Sequence, residues 1–209
     1  MRANAYRSGL TDAACLVLIS GLVAYAASVR AAEKPSFDCD KVEPGSIEEL
    51  VCKDSSLAAL DRKLAEVYAA AAKKATDEHP PVLKAEQRGW VKGRDECWKS
   101  DGKTSCVRQE YEQRIAELQA KYRLVPSTGP FTFTCDGSAA NEVVVTFFQT
   151  DPLTLIAERG DSTSLMFAQP SGSGSKYAGR NESFWEHHGE AAVTWGYGSP
   201  EMKCRRAGE

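Results

Sequence analysis

The chain has 209 residues, 42% of them hydrophobic and 26% charged, with 26 basic residues against 29 acidic ones and a net charge of −3. Those are globular proportions, enough for one ordinary domain or two small ones. An acidic balance argues against nucleic acid and against anionic membrane surfaces as partners, and favours tolerance of cationic ones.

The first thirty-odd residues differ in kind from the rest. Arg2 and Arg7 precede an uncharged apolar run from Ala13 to Val29 that ends among small residues, the pattern of a secretory signal peptide. Cleavage after Ala26 or after Ala31 fits equally well. Cys15 lies at the start of the apolar run, whereas lipidation needs a cysteine just after it, so a soluble exported protein is expected, most simply in a bacterial periplasm. Membrane attachment is expected only if the leader stays uncleaved. Removal of residues 1–31 takes away Arg2, Arg7, Arg30 and Asp12 and moves the net charge from −3 to −5. Of seven cysteines, six then remain, an even number suited to an oxidising compartment. None stands in close CxxC spacing near histidines, so no zinc site is expected.

Residues 37–122 read as a small helical domain. "SIEE" at 46–49 is a capping-box pattern ahead of an apolar face of Ile47, Leu50 and Val51. A second helix starts near Ser55 or Ser56 and repeats Leu57, Leu60, Leu64, Val67, Tyr68 and Ala71 every three or four residues. "HPP" at 79–81 stops it. A third helix is expected from about Val82 to Trp98 with Leu83, Trp90, Val91 and Cys97 inward. A fourth is expected from Ser105 to Tyr122 through Val107, Tyr111, Ile115 and Leu118. So thin a core calls for disulfides. Four cysteines permit three connectivities. Cys97 and Cys106 flank the turn between helices three and four and should meet across it, which leaves Cys39 and Cys52 to tie the N-terminal arm to the first helix.

At "RLVPSTGP", residues 123–130, the pattern changes, and these residues read as a linker. Beyond it, eight short segments of β-branched and aromatic residues follow: 131–135, 142–148, 153–158, 164–168, 175–179, 182–187, 191–195 and 202–206. Eight strands in so few residues mean a small antiparallel barrel or sandwich. Cys135 and Cys204, on the first and last strands, pair only if those strands meet, which closure of a barrel brings about.

A catalytic reading does badly. "SGSGS" at 171–175 is not a GxSxG elbow, and no HExxH occurs. Ser173, His187 and Glu186 can be drawn as a triad, but a serine in a glycine loop has no evident orienting partner, and no enzyme is expected. Singly, "SGSGS" is a solvated hairpin loop, "FW" at 184–185 a core pair and "HH" at 187–188 two edge residues. Together they look like two presented loops, one with basic capability.

Residues 131–206, with "FTCDG", "SGSGSKY", "FWEHHGEA" and the closing Cys204, resemble the MliC family of c-type lysozyme inhibitors. Residues 37–118, with "FDC", "VCKDSSLAALDRKLAEVY", "QRGWVKGRDEC" and "CVRQEYEQRIAEL", are similar to the LprI-type family, some members of which are also described as lysozyme inhibitors. The first resemblance implies an eight-stranded barrel whose two motif loops enter the lysozyme cleft, with a serine in "SGxxY" and a lysine fourteen residues on in "FWxKG". Ser173 and Tyr177 match that pattern; the fourteenth residue is His187, with His188 as an extra residue before Gly189. The implied contact set is Ser173, Gly174, Lys176, Tyr177, His187 and His188, with Lys176 or Arg180 as other sources of charge. The partner implied is a c-type lysozyme. No cofactor, metal, nucleic acid or small-molecule substrate is implied, and peptidoglycan is protected by occlusion.

Lysozyme works through two carboxyl groups in a polysaccharide groove. A plug must satisfy both on burial; a serine hydroxyl can donate to one and a cation can pair with the other. With histidine in the lysine position, inhibition should strengthen as pH falls from about 8 towards 6. Two other readings remain: an envelope module that binds glycan or a wall protein through Trp185, Trp195 and Tyr197, and inhibition carried by the helical domain.

Overall fold

The computed structural model describes residues 34–78 and 81–208. The expected leader, and most of the "HPP" stop, lie outside the described residues.

Four helices come first: α1, Ile47–Lys53; α2, Ser55–Lys74; α3, Val82–Asp95; and α4, Lys103–Lys121. The first three starts are chemically marked. Ser46 Oγ accepts from the Glu49 amide at 3.1 Å, and Glu49 reaches back to the amide of Gly45, one residue earlier than a capping box requires. Asp54 caps α2 by accepting from the amides of Ser56 and Leu57. The Ser56 hydroxyl and these amides hold its carboxyl below the ordinary range. No side chain caps α3 from its N-cap residue, Pro81; instead Glu78 accepts from the Leu83 amide at 3.0 Å and from the Tyr122 hydroxyl at 2.7 Å. The expected third helix splits: its last turn, Glu96–Lys99, tightens into a 3-10 turn whose Cys97 is bonded to Cys106.

Leu57, Leu64, Val67, Ala71, Leu83, Val107, Tyr111, Ile115 and Leu118 form the helical core. Trp90 and Val91, read as inward, are only half-buried. Their face instead buries a charge: Arg94 is 4% exposed and donates to Tyr111 Oη at 2.9 Å, to Glu48 at 2.5 Å and to Asp95. Tyr111 in turn donates to Asp61, which also accepts from the Ser36 amide. Every member of this buried set is paired, as the low dielectric demands. Cys39–Cys52 fastens the arm over α1.

Eight strands follow: β1, Ser127–Cys135; β2, Ser138–Phe148; β3, Thr154–Arg159; β4, Ser162–Gln169; β5, Ser175–Ala178; β6, Glu182–His187; β7, Glu190–Trp195; and β8, Met202–Arg206. Each pairs antiparallel with the next, and β8 returns to β1, so the sheet is a closed barrel. Alternation fills it: Phe133, Val143, Val145, Leu155, Met166, Phe184 and Val193 point inward and are buried. Cys135 and Cys204 face each other across β1 and β8 and are bonded. Of the residues read as a linker, 127–130 lie in β1, where Ser127 pairs with Phe148. The reason is a strand that outlasts its apolar pattern. α4 runs against β3, and Arg123 sits over the Phe148 ring.

Candidate functional site

Hairpin geometry places the motif loops together. The segment 170–174 joins β4 to β5, and the His188–Gly189 turn joins β6 to β7. Ser175 is registered with Glu186, and His187 with Glu190, so both turns lie at one end of the barrel.

The serine loop is held in place. Trp185 donates its indole N–H to the carbonyl oxygen of Ser173 at 3.0 Å, and the Ser171 hydroxyl donates to the same oxygen at 2.6 Å. Gly174 has φ +65, and a Cβ there would collide with the carbonyl oxygen of Glu186, so only glycine lets the loop lie this close to β6. The loop's backbone is therefore tied down while Ser173 itself stays exposed. On the second turn, Glu186 accepts from the Gly189 amide at 2.9 Å, His188 takes φ 54, and the two histidine rings touch at a 44° tilt with centroids 4.0 Å apart.

Strand alternation sorts the implied contact residues. Ser173, Gly174, Lys176, His187 and His188 are exposed, and Lys176 stands opposite Trp185 across β5 and β6. Tyr177 is different: it is buried at 7% exposure, packs on Phe147 with centroids 5.6 Å apart, and burial raises its phenol pKa. It forms barrel wall beneath the loop. Arg180 falls in the β5–β6 turn at the opposite end of the barrel, away from Ser173. Glu186 turns inward toward Gly189, away from the outer face that carries His187.

The outer face beside Ser173 is concave, with a cavity of about 940 Å³ lined by Ser173, Trp185, His187, Glu190, Lys203 and Arg205. Arg205 and Glu190 pair across β7 and β8 at 3.1 Å. Sequence reading assigned none of Glu190, Lys203 or Arg205 to the site. The period-2 alternation that puts 185 and 187 outward was the available signal, since 190, 203 and 205 share that face by register. The aromatic residues of the glycan reading are dispersed: Trp195 packs against the barrel core, and Tyr197, 93% exposed, lies beyond β7 at the end away from Ser173.

Residues 39–118 match the family model described as lysozyme inhibitor LprI, and residues 133–202 match that described as membrane-bound lysozyme-inhibitor of c-type lysozyme. Along the chain, an LprI-type match is thus followed by an MliC-type match. Lipoprotein LprI of Mycobacterium bovis (strain ATCC BAA-935 / AF2122/97) is 29% identical over 159 residues, 76% of this chain and 78% of that protein. Lipoprotein LprI of Mycobacterium tuberculosis (strain ATCC 25618 / H37Rv) is similar to the same extent. Both domains thus fall among lysozyme-inhibitor types, which supports an inhibitory role with lysozyme as the protein partner.

Proposed function

We propose that this protein is an exported inhibitor of c-type lysozyme, acting in the cell envelope by seating the Ser173 loop and the His187–His188 turn in the lysozyme cleft. The observation that carries the reading is the tethered serine: Trp185 and Ser171 hold its carbonyl, and Gly174 seats the loop on β6. Preorganisation of this kind lowers the entropy cost of docking. The Ser173 hydroxyl donates to one catalytic carboxyl group, and Lys176 or a protonated His187 pairs with the other, so neither is left buried and bare. The mechanism is occlusion, and it protects peptidoglycan.

The test is a lysozyme turbidity assay with the full chain, Ser173→Ala and His187→Ala. Each variant is expected to raise the inhibition constant about tenfold or more, as for loss of a buried charged hydrogen bond. Unchanged constants for both, in folded protein, overturn the loop assignment. Protonation supplies the cation, so inhibition is expected to strengthen from about pH 8 to 6 and to lose that dependence in His187→Ala. The groups beside His187 are His188, Glu190 and, paired to Glu190, Arg205. A flat profile, after correction for lysozyme's own titration, assigns the charge to Lys176 instead.

A further inference from the structure

The helical domain contains a second cavity of about 690 Å³, between the N-terminal arm (residues 36–43) and helices α2 and α3. We propose that this groove is a second docking site and that it takes a basic side chain, lysine or arginine, from the surface of the lysozyme partner. The proposal rests on lysozyme as the partner, but not on the barrel loops.

The groove is built rather than incidental. Its floor includes Asp61 and Arg94, 7% and 4% exposed, each satisfied within the protein: Asp61 by Tyr111 and the Ser36 amide, Arg94 by Tyr111, Glu48 and Asp95. The arm that forms one wall is fixed by Cys39–Cys52 and by the Arg62 guanidinium, which donates to Lys34 O at 2.8 Å. A preformed groove spares an incoming side chain the cost of ordering the arm. Tyr68 and Trp90, both half-buried, give aromatic faces along the opposite wall.

Charge selects the occupant. Asp38, Glu43, Glu48 and Asp61 line the groove against two cations, Lys41 and Arg94. Each cation is matched by a carboxylate of the same groove, Lys41 by Asp38 at 3.0 Å and Arg94 by Glu48, which leaves Glu43 and Asp61, the latter bonded to neutral donors in the Tyr111 hydroxyl and the Ser36 amide, as the acidic excess. Glu43 is exposed at the rim, and the Glu48 side chain keeps 33% of its surface open beside Arg94. An anionic occupant meets an unfavourable field here. A guanidinium or ammonium gains both the field and the aromatic faces. The protein already shows the second contact, since the Arg94 guanidinium lies 5.6 Å from the Trp90 ring centroid.

Calorimetric titration of the full chain with a c-type lysozyme at low salt tests the site, using Glu43→Lys, Tyr68→Ala and Ser173→Ala. Each groove variant is expected to weaken affinity about tenfold, Glu43→Lys with an unchanged thermal midpoint and Tyr68→Ala with a lowered one, since that ring packs on the helical core. Its effect is expected to multiply with that of Ser173→Ala, because separated contacts add in free energy. A photo-crosslinking residue in place of Tyr68 is expected to attach to a lysozyme segment bearing a lysine or arginine. Native affinity in both groove variants overturns the proposal, as does a missing crosslink if either variant misfolds. Loss in the groove variants with none in Ser173→Ala supports the groove and sinks the loop reading. The reverse pattern sinks the groove alone, and no binding by the native chain sinks both.

Discussion

At Ser173 the barrel holds the carbonyl oxygen and leaves the residue exposed, and the proposed function gives its hydroxyl to the partner. Two donors meet on that oxygen, from Trp185 and Ser171, and Trp185 is the more telling because it reaches across from β6. Trp185→Phe keeps a ring and removes the N–H. It is expected to raise the inhibition constant about fivefold, the cost of a typical hydrogen bond, and to speed hydrogen exchange at the Gly174 amide. In a Ser173→Ala background the same change is expected to add nothing to the inhibition constant, because Trp185 acts through the serine. A double-mutant cycle measures this, and full additivity would show Trp185 to be an independent contact. The exposed turns that carry Ser173 and His187 were legible because their motifs are local in sequence. The role of Trp185 was not, since donation to a backbone carbonyl twelve residues away leaves no mark in composition or spacing. The burial of Tyr177 was legible in principle from strand alternation, which sets it on the same side as Ser175 and opposite Lys176; the family pattern drew attention to it as a contact instead.

Among the elements, the strands were easier to read than the helix faces. Alternation is a property of each strand by itself, and it located all eight, missing chiefly the polar extensions such as Ser127–Pro130 and Ser138–Asn141. The α3 face misled because it buries Arg94, and a charge at a core position is intelligible only through its partners. One of those, Glu48, lies 46 residues earlier, on α1. Arg94→Ala is expected to destabilise the protein by about 3–5 kcal/mol, since it strips Glu48 of its partner, removes a donor from Tyr111 and opens a cavity. Urea unfolding followed by helical circular dichroism measures the loss. A change under about 1 kcal/mol would mean that water replaces the guanidinium there.

Over the whole molecule, charge sets how the protein meets its partner. The excess of acidic over basic residues, 29 to 26 in the whole chain, falls mainly in the barrel part, where residues 124–209 hold 10 acids against 6 bases, and the groove and the rim of the outer barrel face each carry carboxylates. Association with a cationic lysozyme is therefore expected to slow about tenfold between roughly 0.05 and 0.5 M salt, with the dissociation rate changing much less. Stopped-flow or surface-binding kinetics would show it, and a salt-independent association rate would exclude steering. The closed topology was legible from Cys135 and Cys204 because closure of a barrel brings first and last strands together, whereas the packing of α4 against β3 has no such marker. That same bond makes the chain from Cys135 to Cys204 a covalent circle, and both motif loops lie on its circumference. A protease that cuts the exposed 170–174 loop therefore opens a ring without releasing a fragment. Both new ends stay fastened to the sheet, and the protein keeps its mass and most of its shape after the first cut.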